Sequence, residues 1–138
     1  MEVEEAVLSR REVGRFRPGE EWGEPVDFTE APVAIALALD PERAPRCVHG
    51  EKLHLVSGGC CLQNMLLTAH GLGLGANWVS HWAEEEVKVL LNIPRKWELA
   101  GMVALGYPAA GGAREEERLP LGELVSDGRH ESPTRFRP

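Results

Sequence analysis

Between residues 53 and 70 the apolar side chains do not keep to one side of the chain. Leu53, Val56, Cys60, Leu62, Met65, Leu66, Leu67 and Ala69 go most of the way round a 3.6-residue turn, which predicts a helix buried on most of its faces. Gly58 and Gly59 each cost about 1 kcal/mol relative to Ala inside a helix. The pair therefore predicts a close crossing of another helix, which in a chain this short can belong to a second subunit. The run GLGLG at 71–75 supplies positions that tolerate positive φ and stops the helix. Residues 76–80 then read as a short strand. Glu84, Glu85 and Glu86 sit where the positive end of a new helix dipole would be, Val87, Val89, Leu90 and Leu91 fill that helix, and Pro94 follows its end. The continuous apolar run at 99–105, closed by Gly106 and Pro108, reads as a buried strand. Upstream, the run APVAIALAL at 31–39, stopped by Asp40 and Pro41, reads as another buried strand. Residues 3–10 form a short amphipathic helix with Val3, Ala6 and Val7 on one side.

The order of these elements decides how the glycine run is read. A dinucleotide-binding loop follows a strand and opens a helix; GLGLG follows a helix and opens a strand, so it is a helix stop. At 138 residues the chain is one domain, able to bury about two-thirds of its unfolded surface. A formal charge of -7 argues against a general nucleic-acid or anionic-membrane surface, so any phosphate ligand needs a local basic cluster. One exists. Arg10, Arg11, Arg15 and Arg17 fall within eight residues, opposed only by Glu12, and spacing alone leaves open a solvated helix end or an anion site.

Cys47, Cys60 and Cys61 are odd in number and lack a CxxC, which suits reduced cytoplasmic thiols. No secretory apolar region opens the sequence and no run is apolar enough to span a membrane. A soluble cytoplasmic protein is the expectation. Cys47, His49, His54, Cys60 and Cys61 cluster in sequence, but without the paired spacing of a zinc ribbon or finger, and no metal site is expected. Nothing in sequence distinguishes a nucleophilic cysteine among them from a buried thiol. Gln63 and Asn64, if buried, must find partners, either across a helix pair or on a ligand.

Three segments, QNMLLTAHGLGLGANWVSHW, EEEVKVLLNIPRKWELAGMVALGYP and RLPLGELV, resemble the C-terminal half of the nitroreductase-like family of FMN-dependent oxidoreductases. The match is ordered and nearly continuous over 31–125. It implies an α+β fold with a mainly antiparallel sheet and a long buried central helix, an obligate homodimer, FMN at the dimer interface, and ping-pong use of NAD(P)H to reduce a small aromatic or quinone-like acceptor. In the family an Arg-Arg-Ser-x-Arg-x-Phe segment after the first helix holds the FMN phosphate and ribityl chain; Arg10, Arg11 and Phe16 match it, Glu12 and Gly14 depart from it, and Arg15 is placed to compensate. Arg118 matches the arginine of an Arg-x-Pro-Leu segment that reaches the phosphate, with the acidic Glu116 near it. Ser80 and His81 fall where relatives often touch FMN.

The resemblance divides the single domain at 1–138 into an N-terminal helix and basic segment (1–18), a linker (19–30), a core (31–125) and an extended tail (126–138). The linker stands where relatives carry a longer segment with a Pro-Ser-x-x-Asn-x-Gln-Pro motif beside the flavin. Its loss removes one wall of the expected pocket, and with Glu12, Gly14 and Glu116 it keeps an alternative in view: a shortened nitroreductase-fold protein without flavin activity, acting as a dimeric binding or structural protein. Another anion or planar cofactor in the remaining half-pocket is a third reading.

Overall fold

The computed structural model describes residues 3–11, 13, 31–44, 52–79, 82–110, 118–126 and 128–129. The longest apolar strand, β3 (Glu98–Gly106), lies at the centre of a three-stranded sheet. It is flanked by β1 (Val33–Leu39) and β2 (Gly75–Val79), both antiparallel to it. A strand with neighbours on both edges and packing on both faces needs apolar residues at consecutive positions rather than alternating ones. Val103 and Ala104 are accordingly fully buried on opposite faces. Val103 faces Leu62, Leu66, Ala69 and Ala76; Ala104 faces Val13, Ala31 and Val79.

The expectation of a buried strand at 31–39 is corrected by the topology. Ala31 is fully buried, yet no residue of β1 itself is, and Ala34 and Ile35 are exposed. Among the described residues β1 pairs on one side only, with β3. An apolar run cannot report whether a strand has one neighbour or two.

The long helix, α2 (Leu53–Gly71), packs on one face of the sheet. It buries His54, Gly58, Leu62, Leu66 and Ala69, a spacing of three to four residues that marks a single stripe. Val56, Gly59, Cys60, Cys61, Gln63 and Asn64 are exposed in the single chain. Apolar residues surround the helix; burial does not, because one chain offers it one sheet. The close approach predicted at the glycine pair also differs in kind. Gly58 meets the sheet, not a helix: a Cβ built there would lie 2.7 Å from Ala100 Cβ and 2.7 Å from Leu39 Cδ1. The pairing explains why. Leu37 is opposite Gly101 and Ala38 is opposite Leu99, so Ala100 is the extra residue of a β-bulge, which re-aims a side chain. Gly59 has nothing within 4 Å of such a Cβ.

The helix stop at GLGLG is present with its full hydrogen bonding. Gly73 takes φ 75°; its N–H donates to His70 O, and Leu74 N–H donates back to Ala69 O at 2.9 Å, the pair of bonds that closes a helix through a left-handed glycine. β2 starts immediately after, which aligns Ala76 with Leu105 and Val79 with Met102. Two further helices complete the described chain before and after β3. α3 (Glu84–Leu90) begins on the glutamate triplet as expected, and α4 (Leu121–Leu124) is a single turn. The first helix, α1 (Val3–Ser9), rests on α2. None of the helices among the described residues is long and apolar enough to cross a membrane.

Candidate functional site

The site is built at the C-terminal end of α1. Ser9 Oγ donates to Glu5 O at 2.6 Å. A hydroxyl has one proton, so the 2.9 Å contact between Ser9 Oγ and His70 Nε2 is an imidazole N–H donating to the hydroxyl. That bond ties the end of α1 to the last turn of α2. Two positions further on from Arg11, Val13 N–H donates to Ala76 O at 3.2 Å, so the backbone carrying the basic residues is held at both ends.

Arg118 comes to the same place from the far side of the sequence. Its Nη2 donates to Arg10 O at 2.7 Å and its Nη1 to Val7 O at 3.4 Å. These are carbonyls that a helix end leaves without intrahelical partners, and a cation there opposes the negative pole of the helix. Arg11 Nη1 also donates to Arg10 O, at 2.8 Å. Three guanidinium side chains, those of Arg10, Arg11 and Arg118, therefore originate from one small region.

Arg10 differs from the other two. Its Nη1 is buried and has no hydrogen-bond partner among the described residues. A buried, unsatisfied donor costs about 1–3 kcal/mol, more when charged, and an anionic oxygen is the acceptor that removes this cost. The residues present thus fit a phosphate group. Of the other positions singled out in the sequence, Arg15, Ser80 and His81 lie outside the described residues, as do Glu12, Gly14 and Glu116.

The remaining candidates separate. Cys60 and Cys61 are free and exposed. His54 is buried, and its Nε2 lies 3.2 Å from Glu98 Oε2, but neither ring nitrogen makes an aligned hydrogen bond among the described residues. Among the described residues no three His, Cys, Asp or Glu side chains gather to hold a metal ion; Cys47 and His49 are outside them. Gln63 and Asn64 are exposed in the single chain.

On the sheet face away from α2 lies a cleft of about 660 Å³, bounded by Val79 and Met102 from the sheet, Trp82, and Glu86, Val87 and Leu90 from α3. Its position is fixed by an ion cluster on α3. Lys88 is buried, with Nζ 2.7 Å from Glu84 Oε1 and 3.7 Å from Glu85 Oε1, and it donates to Arg95 O at 3.3 Å, which holds the helix against the turn that follows it. The hydrogen bond from Lys88 keeps the Glu84 carboxyl below its ordinary value of 4.5, and the same bond raises Lys88. A carboxylate depressed in the folded state stabilises that state above its ordinary value, and the contribution is lost as pH falls through the lowered one. Glu84→Gln is therefore expected to lower the melting temperature slightly at neutral pH, with the difference from the parent protein closing well below pH 4.5. A gap that persists unchanged into acid would show that the pair is not its source.

Sequence reasoning reached Arg10, Arg11 and Arg118 but not the Ser9–His70 tie or the Lys88 cluster. The tie joins residues 61 positions apart and leaves no local pattern. The cluster did have a signal: Glu84 and Lys88 stand at i and i+4, the spacing at which helical side chains meet.

Comparison with known proteins gives a consistent picture. The family model described as "Nitroreductase family" matches residues 3–107. Among solved structures, the chain is similar to a nitroreductase family protein from Clostridium difficile 630, at 18% identity and TM-score 0.76, with 94% of this chain and 99% of that one covered. It is similar also to a Desulfovibrio desulfuricans protein named for nitroreductase and solved in complex with FMN, at 22% identity and TM-score 0.70, covering 94% and 98%. Nitroreductase A from Vibrio parahaemolyticus matches at 16% identity and TM-score 0.73, over 97% of this chain and 79% of the other. At these identities the structural likenesses concern the fold.

Proposed function

The chain belongs to the nitroreductase family, and on that premise we propose that it is an FMN-dependent oxidoreductase that passes reducing equivalents from NAD(P)H to a small aromatic or quinone-like acceptor. The observation that carries the reading is the buried, partnerless Nη1 of Arg10 beside Arg11 and Arg118. FMN, when bound, supplies the two-electron chemistry itself. The chain's own task is to bind and orient it. Arg10 and Arg11, with Arg15, would hold the phosphate through charge-assisted hydrogen bonds. Arg118 acts as a positioning residue: by covering the Val7 and Arg10 carbonyls it keeps the negative end of α1 from opposing a bound anion. Ser80 and His81, which follow β2 directly, would border the ring or ribityl chain.

The same reading makes the active form a homodimer. The exposed side of α2, with Val56 63% accessible and open space beside Gly59, suits a second copy's helix. Gly59→Leu is expected to weaken self-association at least about tenfold, as small-to-large changes do in tightly packed contacts, while helical content is retained. Sedimentation of parent and variant at matched concentrations checks this; identical dimerisation would place the interface elsewhere.

One observation favours the second reading, a dimeric nitroreductase-fold protein without flavin activity. Two nitrogens of the Arg118 guanidinium are already engaged by backbone carbonyls. The deciding experiment is to mix purified protein with FMN, remove the excess and record the visible spectrum. A retained flavin band that bleaches on addition of NADH or NADPH supports the oxidoreductase. A colourless protein that remains dimeric selects the alternative.

A further inference from the structure

The cleft beneath α3 has a chemistry that the flavin reading does not use. We propose that it binds a planar organic cation, an aromatic body carrying a positively charged nitrogen, at a site separate from the arginine cluster. The cleft volume of about 660 Å³ falls within the range of roughly 300–1,000 Å³ typical of small-molecule sites. Its walls are largely apolar, with Val79 and Met102 from the sheet, Val87 and Leu90 from α3, and Trp82, and Glu86 is the one charged residue lining it among the described residues.

The phase of α3 produces this arrangement. Residues 83, 86, 87 and 90 follow a helical stripe at spacings of three, four and seven, and all four line the cleft. Lys88 is out of phase with them. Its single ammonium is shared between Glu84 and Glu85, so that positive charge is committed to those two members of the triplet. Glu86 has no such partner among the described residues, and its charge remains on an apolar wall. A carboxylate so placed repels anions and favours cations, and more strongly beside low-dielectric walls than in bulk water. A bare metal ion is a poor match for a single carboxylate. An aromatic cation meets every feature at once: its body replaces water on the apolar walls, its charge faces Glu86, and the Trp82 indole and Met102 thioether are good neighbours for a cationic ring.

The test uses three probes of similar size and different charge, N-methylquinolinium, methylnaphthalene and naphthoate, titrated calorimetrically into the purified full chain without flavin. N-methylquinolinium is expected to bind about fivefold or more tighter than methylnaphthalene, with naphthoate weakest. Glu86→Gln should bring the cationic and neutral probes to within about twofold of each other. Leu90→Arg, at a position 82% exposed where the fold tolerates change, should weaken N-methylquinolinium about tenfold or more. Binding of none of the probes, an affinity order that ignores charge, or a cation preference unchanged in Glu86→Gln would each overturn the proposal. So would displacement of N-methylquinolinium by FMN, which would make the cleft part of the flavin site. None of these readouts depends on whether the protein turns over NAD(P)H, so failure here and failure of the oxidoreductase reading are distinct.

Discussion

Arg10→Ala is expected to lower FMN affinity by about one to two orders of magnitude while leaving the ligand-free protein as stable as its parent, or slightly more so. Both halves come from the same atom. A charge-assisted hydrogen bond to a phosphate contributes about 1.5–3 kcal/mol, and its loss gives that range in affinity. In the free chain Arg10 Nη1 is buried without a partner, so deleting the guanidinium also removes an uncompensated desolvation cost. Arg118→Ala should behave differently. It takes the donors away from Arg10 O and Val7 O, so thermal stability falls, by about 1 kcal/mol as for a lost cap, and affinity falls with it. Fluorescence titration of FMN beside thermal melts of each variant separates the two residues. Unaltered FMN binding in Arg10→Ala would remove the residue from the phosphate site, and a large loss of stability there would show that its buried nitrogen is satisfied in solution.

The second large effect concerns the contact that sets α2 on the sheet. Gly58→Ala should gain about 1 kcal/mol of helix propensity and still be less stable than the parent, by a net of up to about 2 kcal/mol, since overpacking a close contact typically costs about 1–3 kcal/mol. The new Cβ would sit 2.7 Å from both Ala100 Cβ and Leu39 Cδ1. The Leu39 methyl ends a flexible side chain and can rotate away. Ala100 Cβ is fixed to the backbone of a bulge and cannot. Ala100→Gly in the same chain is therefore expected to recover much of the loss, giving a coupling energy of about 1 kcal/mol in a double-mutant cycle by urea denaturation. A Gly58→Ala protein more stable than its parent would mean that helix and sheet stand further apart than described.

The core of the fold was legible where the code is local. The span of α2, the stop at Gly73, the glutamates opening α3 and the unbroken run of β3 all lie within a few residues of the backbone they shape, whereas the confinement of α2 burial to one stripe was not foreseen. The site was legible in part. Arg10 and Arg11 stood out as part of a basic run that resemblance to a known family then assigned to phosphate, Arg118 was named by that resemblance alone, and the 108 residues between Arg10 and Arg118 carry no physical signal of their own. The cleft was not legible at all, since Met102 and Val87 read as ordinary core residues until the strand order places them on opposite walls.

By itself, then, the amino-acid order determined the longer helices and the three strands, though not the single turn of α4, because periodicity and glycine or proline punctuation act through the chain's own backbone geometry. Tertiary structure alone decided which side of each element is covered. Among the described residues the sheet order β1-β3-β2 leaves β1 at an edge despite its apolar run, and the bulge at Ala100 gives Gly58 a strand to meet instead of a helix. Both outcomes depend on pairings between residues far apart in the chain, which no short window of sequence contains.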